Sequence, residues 1–100
     1  MLSGKQRRYL RALGHELRPV VQIGRDGLDD GLVAAVDRAL TDHELIKIRL
    51  HTQGEAANLD RHDAAAALAA RTHSEVAQVL GHTVLLYRPH PEEPTIALPR

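Results

Sequence analysis

The sequence predicts an α/β fold, a two-layer sandwich of helices on one mixed four-stranded sheet. Three observations lead to this prediction. Segments with apolar residues at helical spacing alternate with short segments of strand character, in the order α-β-α-β-α-β-β. The last two strands are separated by Gly81-His82, which is typical of a tight antiparallel hairpin. The apolar inventory has 15 Leu and 14 Ala but no Phe or Trp, so the core must be aliphatic.

The length and composition exclude several classes of protein. A chain of 100 residues suits one domain, since half of it would bury too little surface; we expect one domain over 1–100, with 89–100 as an extended tail. The absence of cysteine excludes disulfides, thiolate metal sites and cysteine nucleophiles. Two tyrosines cannot supply the aromatic platform of an RNA-recognition-motif sheet. Because no apolar run approaches the roughly 20 residues of a membrane span, and no secretion signal is evident, we expect a soluble cytoplasmic domain.

The first segment predicts an amphipathic helix. Ser3 is the expected N-cap, and the helix runs to about Leu13, with Gly14 as a left-handed stop. One side of this helix is largely apolar and contains Leu2, Gln6, Tyr9, Leu10 and Leu13. The other side is basic and contains Arg7, Arg8 and Arg11.

A strand, a turn and a second helix are expected next. Residues 19–23 read as a strand with proline at its first position, where a missing N–H matters least. The turn at 24–27 leads into apolar residues at helical spacing, from Leu28 to about Thr41. The turn therefore connects a strand to a helix.

Residues 44–51 alternate between apolar and polar side chains, as in a strand with one buried face. The residues expected on the buried face are Ile46, Ile48 and Leu50. Those expected on the other face are Lys47, Arg49 and His51.

The last part of the chain predicts a third helix and a hairpin. Asn58 is a plausible cap for the helix, which reaches about Arg71. Residues 76–80 and 83–87 are the two hairpin strands, and 95–98 could add a short edge strand.

The net charge of zero conceals an asymmetry along the chain. Residues 1–25 contain six basic side chains and one acid, whereas residues 26–100 contain seven basic side chains and twelve acids. A basic end of this kind points to a polyanionic partner, although a solvated basic helix face would give the same count.

The strand-to-helix turn has the sequence Gly24-Arg25-Asp26-Gly27. A Gly-x-x-Gly turn before a helix lets backbone amides approach a phosphodiester, as in domains of the KH type. The motif is weak when taken alone, because seven glycines in 100 residues produce it often by chance. Its place between a strand and a helix strengthens the interpretation, while the carboxylate of Asp26 opposes phosphate binding.

Together, these segments resemble the small bacterial YhbY-like proteins of the CRM domain family (chloroplast RNA splicing and ribosome maturation). The resemblance rests on residues 2–24, 27–28, 43–50, 81–89 and 98–100. It implies a domain similar to the C-terminal domain of translation initiation factor three, and RNA binding in association with the precursor of the large ribosomal subunit. The tail departs from the family pattern, since it is acidic at residues 91–94 rather than basic.

We therefore expect a non-enzymatic protein that binds ribosomal RNA during large-subunit assembly and needs no cofactor or metal. The candidate RNA-binding residues are Gly24, Arg25, Asp26, Gly27, Lys5, Arg7, Arg8, Arg11, Lys47 and Arg49. One alternative is a protein-interaction module whose basic helix docks on an acidic ribosomal or assembly partner. A second is a metal-dependent hydrolase that uses the histidines, but their spacing matches no metal motif.

Overall fold

The computed structural model describes residues 2–24, 26–51 and 60–100. Its element order is the predicted one, α-β-α-β-α-β-β. The elements are α1 (Gly4–Gly14), β1 (Pro19–Ile23), α2 (Asp30–His43), β2 (Leu45–Leu50), α3 (Arg61–Thr72), β3 (Glu75–Leu80) and β4 (Thr83–Tyr87).

The four strands form one mixed sheet in the order β1-β2-β4-β3. β1 and β2 are parallel and are joined through α2, while β4 is antiparallel to both β2 and β3. The α/β class and the mixed four-stranded sheet are thus confirmed. The central strand β2 places Val21 opposite Ile48 on one side and Lys47 opposite Leu85 on the other.

The main core lies between the sheet and the pair α2 and α3. Its sheet side is formed by Val21, Ile23, Ile46, Ile48, Leu50, Val84 and Leu86. Its helix side is formed by Val36, Leu40, Ala64, Ala65 and Leu68. The small alanines of α3 allow this helix to lie close to the strands. This half of the molecule is the predicted two-layer arrangement.

A second, smaller core lies on the opposite face of the sheet. There α1 and the C-terminal tail cover the alternate residues of the strands, which adds a partial third layer. The buried residues of this core are Leu2, Leu10, Leu45, Ala77, Leu85 and Tyr87, with Ile96 and Leu98 packed against them.

Only a narrow strip of helix α1 is buried against the sheet. Leu10 is fully buried, but Tyr9 and Leu13 are each 40% exposed, so the predicted apolar side is only partly buried. Gly14 is not a left-handed stop: it lies within the helix, and the cap His15 has right-handed helical backbone angles. A Cβ at Gly14 would lie 2.5 Å from Leu85 Cδ1, so the glycine is needed for close approach to β4.

The N-cap of α1 is the predicted residue, whereas the N-cap of α3 is not. Ser3 forms a capping box with Gln6, as the position of Ser3 predicted. The cap of α3 is Asp60 rather than Asn58, which lies outside the described residues. The Asp60 carboxylate accepts hydrogen bonds from the backbone N–H groups of Asp63 and His62, and these bonds lower its pKa.

The C-terminal tail is held by the carboxylate of Glu44, the residue that follows α2. Only 4% of Glu44 is exposed, and its oxygens accept the backbone N–H groups of His90 (2.7 Å), Thr95 (2.7 Å) and Ile96 (3.2 Å) and the Thr95 hydroxyl. The predicted edge strand at 95–98 does not form. The amides of Thr95 and Ile96 bond to the Glu44 side chain instead of a neighbouring strand. Burial raises the pKa of Glu44, but the four hydrogen bonds outweigh burial and hold the pKa below its ordinary 4.5.

The substitution Gly14→Ala tests the close packing of α1 on β4. We expect it to lower the free energy of unfolding by about 1–3 kcal/mol, because the buried Leu85 must move. The matched control is Gly31→Ala, where the added Cβ would meet only Asp29 Oδ1 at 3.6 Å. Chemical denaturation measures both variants; a Gly14→Ala protein as stable as the control would contradict the packing argument.

The substitution Glu44→Gln tests the tail clamp. We expect the free energy of unfolding to fall by about 1–3 kcal/mol, because a carboxylate is a stronger acceptor than an amide. Hydrogen exchange should accelerate at the amides of His90, Thr95 and Ile96. The control Glu92→Gln changes an exposed acid of the same tail and should leave stability within about 0.5 kcal/mol.

The same clamp predicts a pH dependence. Because the pKa of Glu44 is lowered on folding, its contribution to stability is complete above pH 4.5 and is lost as the pH falls through the folded-state pKa. Glu44→Gln should therefore flatten the decline of stability below pH 4.5. An unchanged pH profile together with unchanged exchange rates would show that the carboxylate does not hold the tail.

Candidate nucleic-acid interface

The Gly-x-x-Gly turn lies between the end of β1 and the start of α2, as predicted. Gly27 is buried, has a φ of +64°, and donates its N–H to the Gly24 carbonyl at 3.1 Å. A positive φ favours glycine, so Gly27 is needed to form the turn. Asp26 is exposed, and Arg25 lies outside the described residues.

Gly24 differs from Gly27 in having no such role in the fold. Its φ is not positive, and a Cβ added there would meet no atom within 4 Å. The direction in which a side chain would project from Gly24 is therefore open. It borders a cleft of about 220 Å³ lined by Gln22, Gly24, Asp26, Gly27, Asp29 and Leu32.

The acidic residues near this cleft are not equivalent. The Asp29 carboxylate caps α2 by accepting the Leu32 N–H at 2.8 Å, and Asp30 pairs with Arg71 at 2.9 Å. Asp26 makes no hydrogen bond or ion pair with the described part of the chain. It is the acid that an incoming phosphate would meet at the turn itself.

The four candidate cations of α1 all point into solvent. They are Lys5, Arg7, Arg8 and Arg11. None forms an ion pair or a side-chain hydrogen bond with a described residue. Since α1 packs on the sheet through Leu10 and Gly14, its outer surface carries positive charge that no acid of the described chain neutralises.

Lys47 and Arg49 lie on the same face of the sheet that α1 covers in part. Lys47 is in register with Leu85, which packs against α1, and Arg49 is in register with Thr83. Lys47 is half-buried and Arg49 is exposed, and neither is paired within residues 2–24, 26–51 and 60–100.

A second cleft of about 300 Å³ adjoins Lys47. Its lining residues are Leu17, Arg18, Val20, His43, Leu45, Ile46 and Lys47. It adds Arg18 to the basic surface. Arg18 belongs to the basic N-terminal segment of the sequence but was not among the predicted site residues, because only the fold places it beside β2.

Basic residues on the α2 and α3 side are mostly engaged within the protein. Arg71 pairs with Asp30, and Arg61 donates to the Gly81 carbonyl at 3.1 Å. Arg88 pairs with Asp37 at 2.6 Å, and it donates to the Thr72 carbonyl at 2.8 Å. Arg38 is the exception on this side: it is exposed and unpaired within the described residues.

The structure places the candidate cations of α1 and β2 on one face of the sheet, and the turn at the end of β1. Because β1 and β2 are parallel, the turn after β1 lies at the same sheet edge as His51, whose backbone N–H donates to the Ile23 carbonyl at 3.0 Å. The unpaired cations of α1 and β2 share the adjoining face. We call this set the basic face; it consists of Lys5, Arg7, Arg8, Arg11, Arg18, Lys47 and Arg49.

Two other kinds of site do not occur in the part of the chain that the structure describes. No group of three or more His, Asp or Glu side chains there is arranged to hold a metal ion. None of the described helices has the length and apolar character needed to cross a membrane.

Comparison with known proteins places the chain in a family. Residues 2–88 match the CRS1/YhbY (CRM) domain. The Probable RNA-binding protein YqeI of Bacillus subtilis is 37% identical, over 99% of this chain and all of the relative. An RNA-binding protein of Haemophilus influenzae is 40% identical, over 99% of this chain and 96% of the relative.

A solved structure agrees with these relatives. The solution structure of the hypothetical protein SAV1595 from Staphylococcus aureus is 38% identical and superimposes with a TM-score of 0.81, over 99% of this chain and all of that chain. The chain therefore belongs to the CRS1/YhbY (CRM) domain family.

Proposed function

We propose that this chain is a non-enzymatic RNA-binding protein whose basic face and Gly24–Gly27 turn contact the phosphates of RNA. One observation carries the proposal: the basic face has no intramolecular counterions among the described residues, whereas Arg71 and Arg88 on the other side are paired. Unpaired cations gathered on one side are the electrostatic footprint of a polyanion site.

The turn suits the close approach of a phosphodiester. Gly27 shapes the turn, and the open space above Gly24 gives a phosphate access to the backbone. The lack of a side chain at Gly24 would therefore serve RNA binding, although the fold does not require it. The names of the relatives from B. subtilis and H. influenzae, both RNA-binding proteins, support the proposal.

Ribosomal RNA in precursors of the large subunit is the proposed target, and the cytoplasm the proposed location, on the strength of the family resemblance. A tagged protein should then co-sediment with large-subunit precursor particles and be released by ribonuclease. Co-sedimentation that survives ribonuclease would instead indicate docking on a protein.

Docking on an acidic ribosomal or assembly protein is the second candidate. It is favoured by the exposure of Tyr9 and Leu13 on α1, which gives the helix an apolar strip beside its cations. The ribonuclease experiment separates the two functions directly.

Charge reversal on α1 tests the basic face. The double variant Arg8→Glu, Arg11→Glu should fold within about 1 kcal/mol of the parent, since both side chains are exposed. Its affinity for single-stranded RNA should fall by about tenfold, since each of the two arginine–phosphate attractions is worth roughly 0.7 kcal/mol. The wild-type slope of log affinity against log salt should be about −3 to −4, and the variant should reduce its steepness by about 1.4 because two fewer phosphates are neutralised.

The control reverses Arg38 and Arg61, which changes the net charge equally on the α2 and α3 side; because Arg61 also donates to the Gly81 carbonyl, the stability of this variant is measured as well. Fluorescence titration at several salt concentrations measures both double variants. Equal reductions of affinity in the two variants would mean that net charge, not the basic face, governs binding.

The substitution Gly24→Ala separates binding from folding at the turn. We expect stability within about 0.5 kcal/mol of wild type, because the new methyl group meets open space. RNA affinity should nevertheless fall about three- to tenfold, because that methyl group occupies the path of the phosphate. Gly31→Ala is the control for an added methyl group and should retain both properties. Wild-type affinity in Gly24→Ala would remove the turn from the proposed site.

A further inference from the structure

A row of side chains crosses the sheet on the same face as α1, in the part that α1 leaves uncovered. Gln22 of β1 is in register with Arg49 of β2, which is in register with Thr83 of β4, and Thr83 is in register with Leu80 of β3. Gln22 and Arg49 are exposed, and Leu80 is 64% exposed. Apart from the half-buried Thr83, the row is therefore exposed in the part of the chain that the structure describes.

Gln22 is oriented by a neighbour at the end of β2. The His51 ring nitrogen Nε2 is hydrogen-bonded to Gln22 Oε1, and both side chains are exposed. With Nε2 as the donor, the carbonyl oxygen of Gln22 is occupied, and its amide NH₂ keeps two donors that no described residue accepts. Beside it, the Arg49 guanidinium makes no hydrogen bond to a described residue.

This donor pair adjoins the proposed phosphate site. Gln22 lines the same cleft as Gly24 and Gly27. A nucleotide whose phosphate contacts the turn can therefore lay its base on the sheet beside Gln22 and Arg49. Single-stranded RNA is read through such unpaired base edges, whereas the edges in a duplex are largely inaccessible.

We propose that Gln22 and Arg49, with His51 as the positioning residue for Gln22, form a base-reading site for an unpaired guanine. The proposal rests on the proposed RNA-binding function. Both side chains offer donors, and guanine presents two adjacent acceptors, O6 and N7, on one edge. Adenine presents one acceptor and one donor on that edge, which leaves a donor of the protein facing a donor of the base.

The test uses fluorescent 12-nucleotide RNAs: all-uridine, the same with one central guanosine, and the same with one central adenosine. Wild-type protein should bind the guanosine RNA about fivefold or more tightly than the other two. Gln22→Ala, which changes no charge and lies at an exposed position, should abolish this preference, so that the variant binds the guanosine and all-uridine RNAs with equal affinity.

Lys47→Ala is the control for a phosphate contact. It should weaken binding to all three RNAs by the same factor and keep the preference for guanosine. His51→Ala should reduce the preference partly, since Gln22 is still present but is no longer oriented.

The possible results separate the guanine-reading site from the proposed RNA-binding function. No measurable binding to any of the RNAs would overturn the proposed function and the inference together. Binding without a preference for guanosine, a preference for adenosine, or a preference that survives in Gln22→Ala would overturn the inference alone.

Discussion

The alternation of side chains along β2 is the constraint on which the rest of the structure depends. Its even-numbered residues bury a continuous aliphatic row against α2 and α3. Its odd-numbered residues face the other way, beginning with the buried Leu45 and continuing to the cations Lys47 and Arg49. A shift of the register by one residue would exchange these faces, placing cations in the core. The strand that anchors the fold therefore also fixes the position of the charged surface.

The second face of the sheet is divided between structure and the proposed binding site. Helix α1 and the tail cover the half of this face where β2 begins and β4 ends. They can do so because Gly14 lies close to Leu85 and because Glu44 holds the amides of the tail. The half left uncovered carries Arg49 and the row that runs from Gln22 to Leu80. Helix α1 thereby presents its own cations on the same face as the open strand surface, and the Gly24–Gly27 turn lies at the end of β1, next to Gln22. The clamp ties the tail amides of His90 and Ile96 to Glu44, which directly precedes β2.

Local patterns in the sequence were sufficient to predict the helices and strands, and they supplied most of the residues of the proposed site. The alternation of 44–51 predicts both the strand and the outward face of Lys47, and Ser3 predicts the start of α1, because each signal is contained within a few residues. The prediction for Gly14 was wrong because a glycine near a helix end resembles a stop, whereas its actual reason is Leu85, far along the chain. The roles of Glu44 and Gln22 were missed for the same reason: their partners are Thr95 and His51, 51 and 29 residues away. Long-range pairing of polar side chains leaves no periodic signal in a sequence.

The central claim is that RNA is bound on one side of this sheet, and mapping the contact surface by NMR tests it most directly. Amide shifts of the ¹⁵N-labelled protein would be followed during titration with a short unstructured RNA. We expect changes at Gly24 and Gly27, along the exposed side of α1, and from Lys47 to His51. We expect little change on the outer surfaces of α2 and α3, where Arg38 and Arg61 lie. Changes confined to those outer surfaces, with the turn and β2 unaffected, would contradict the account.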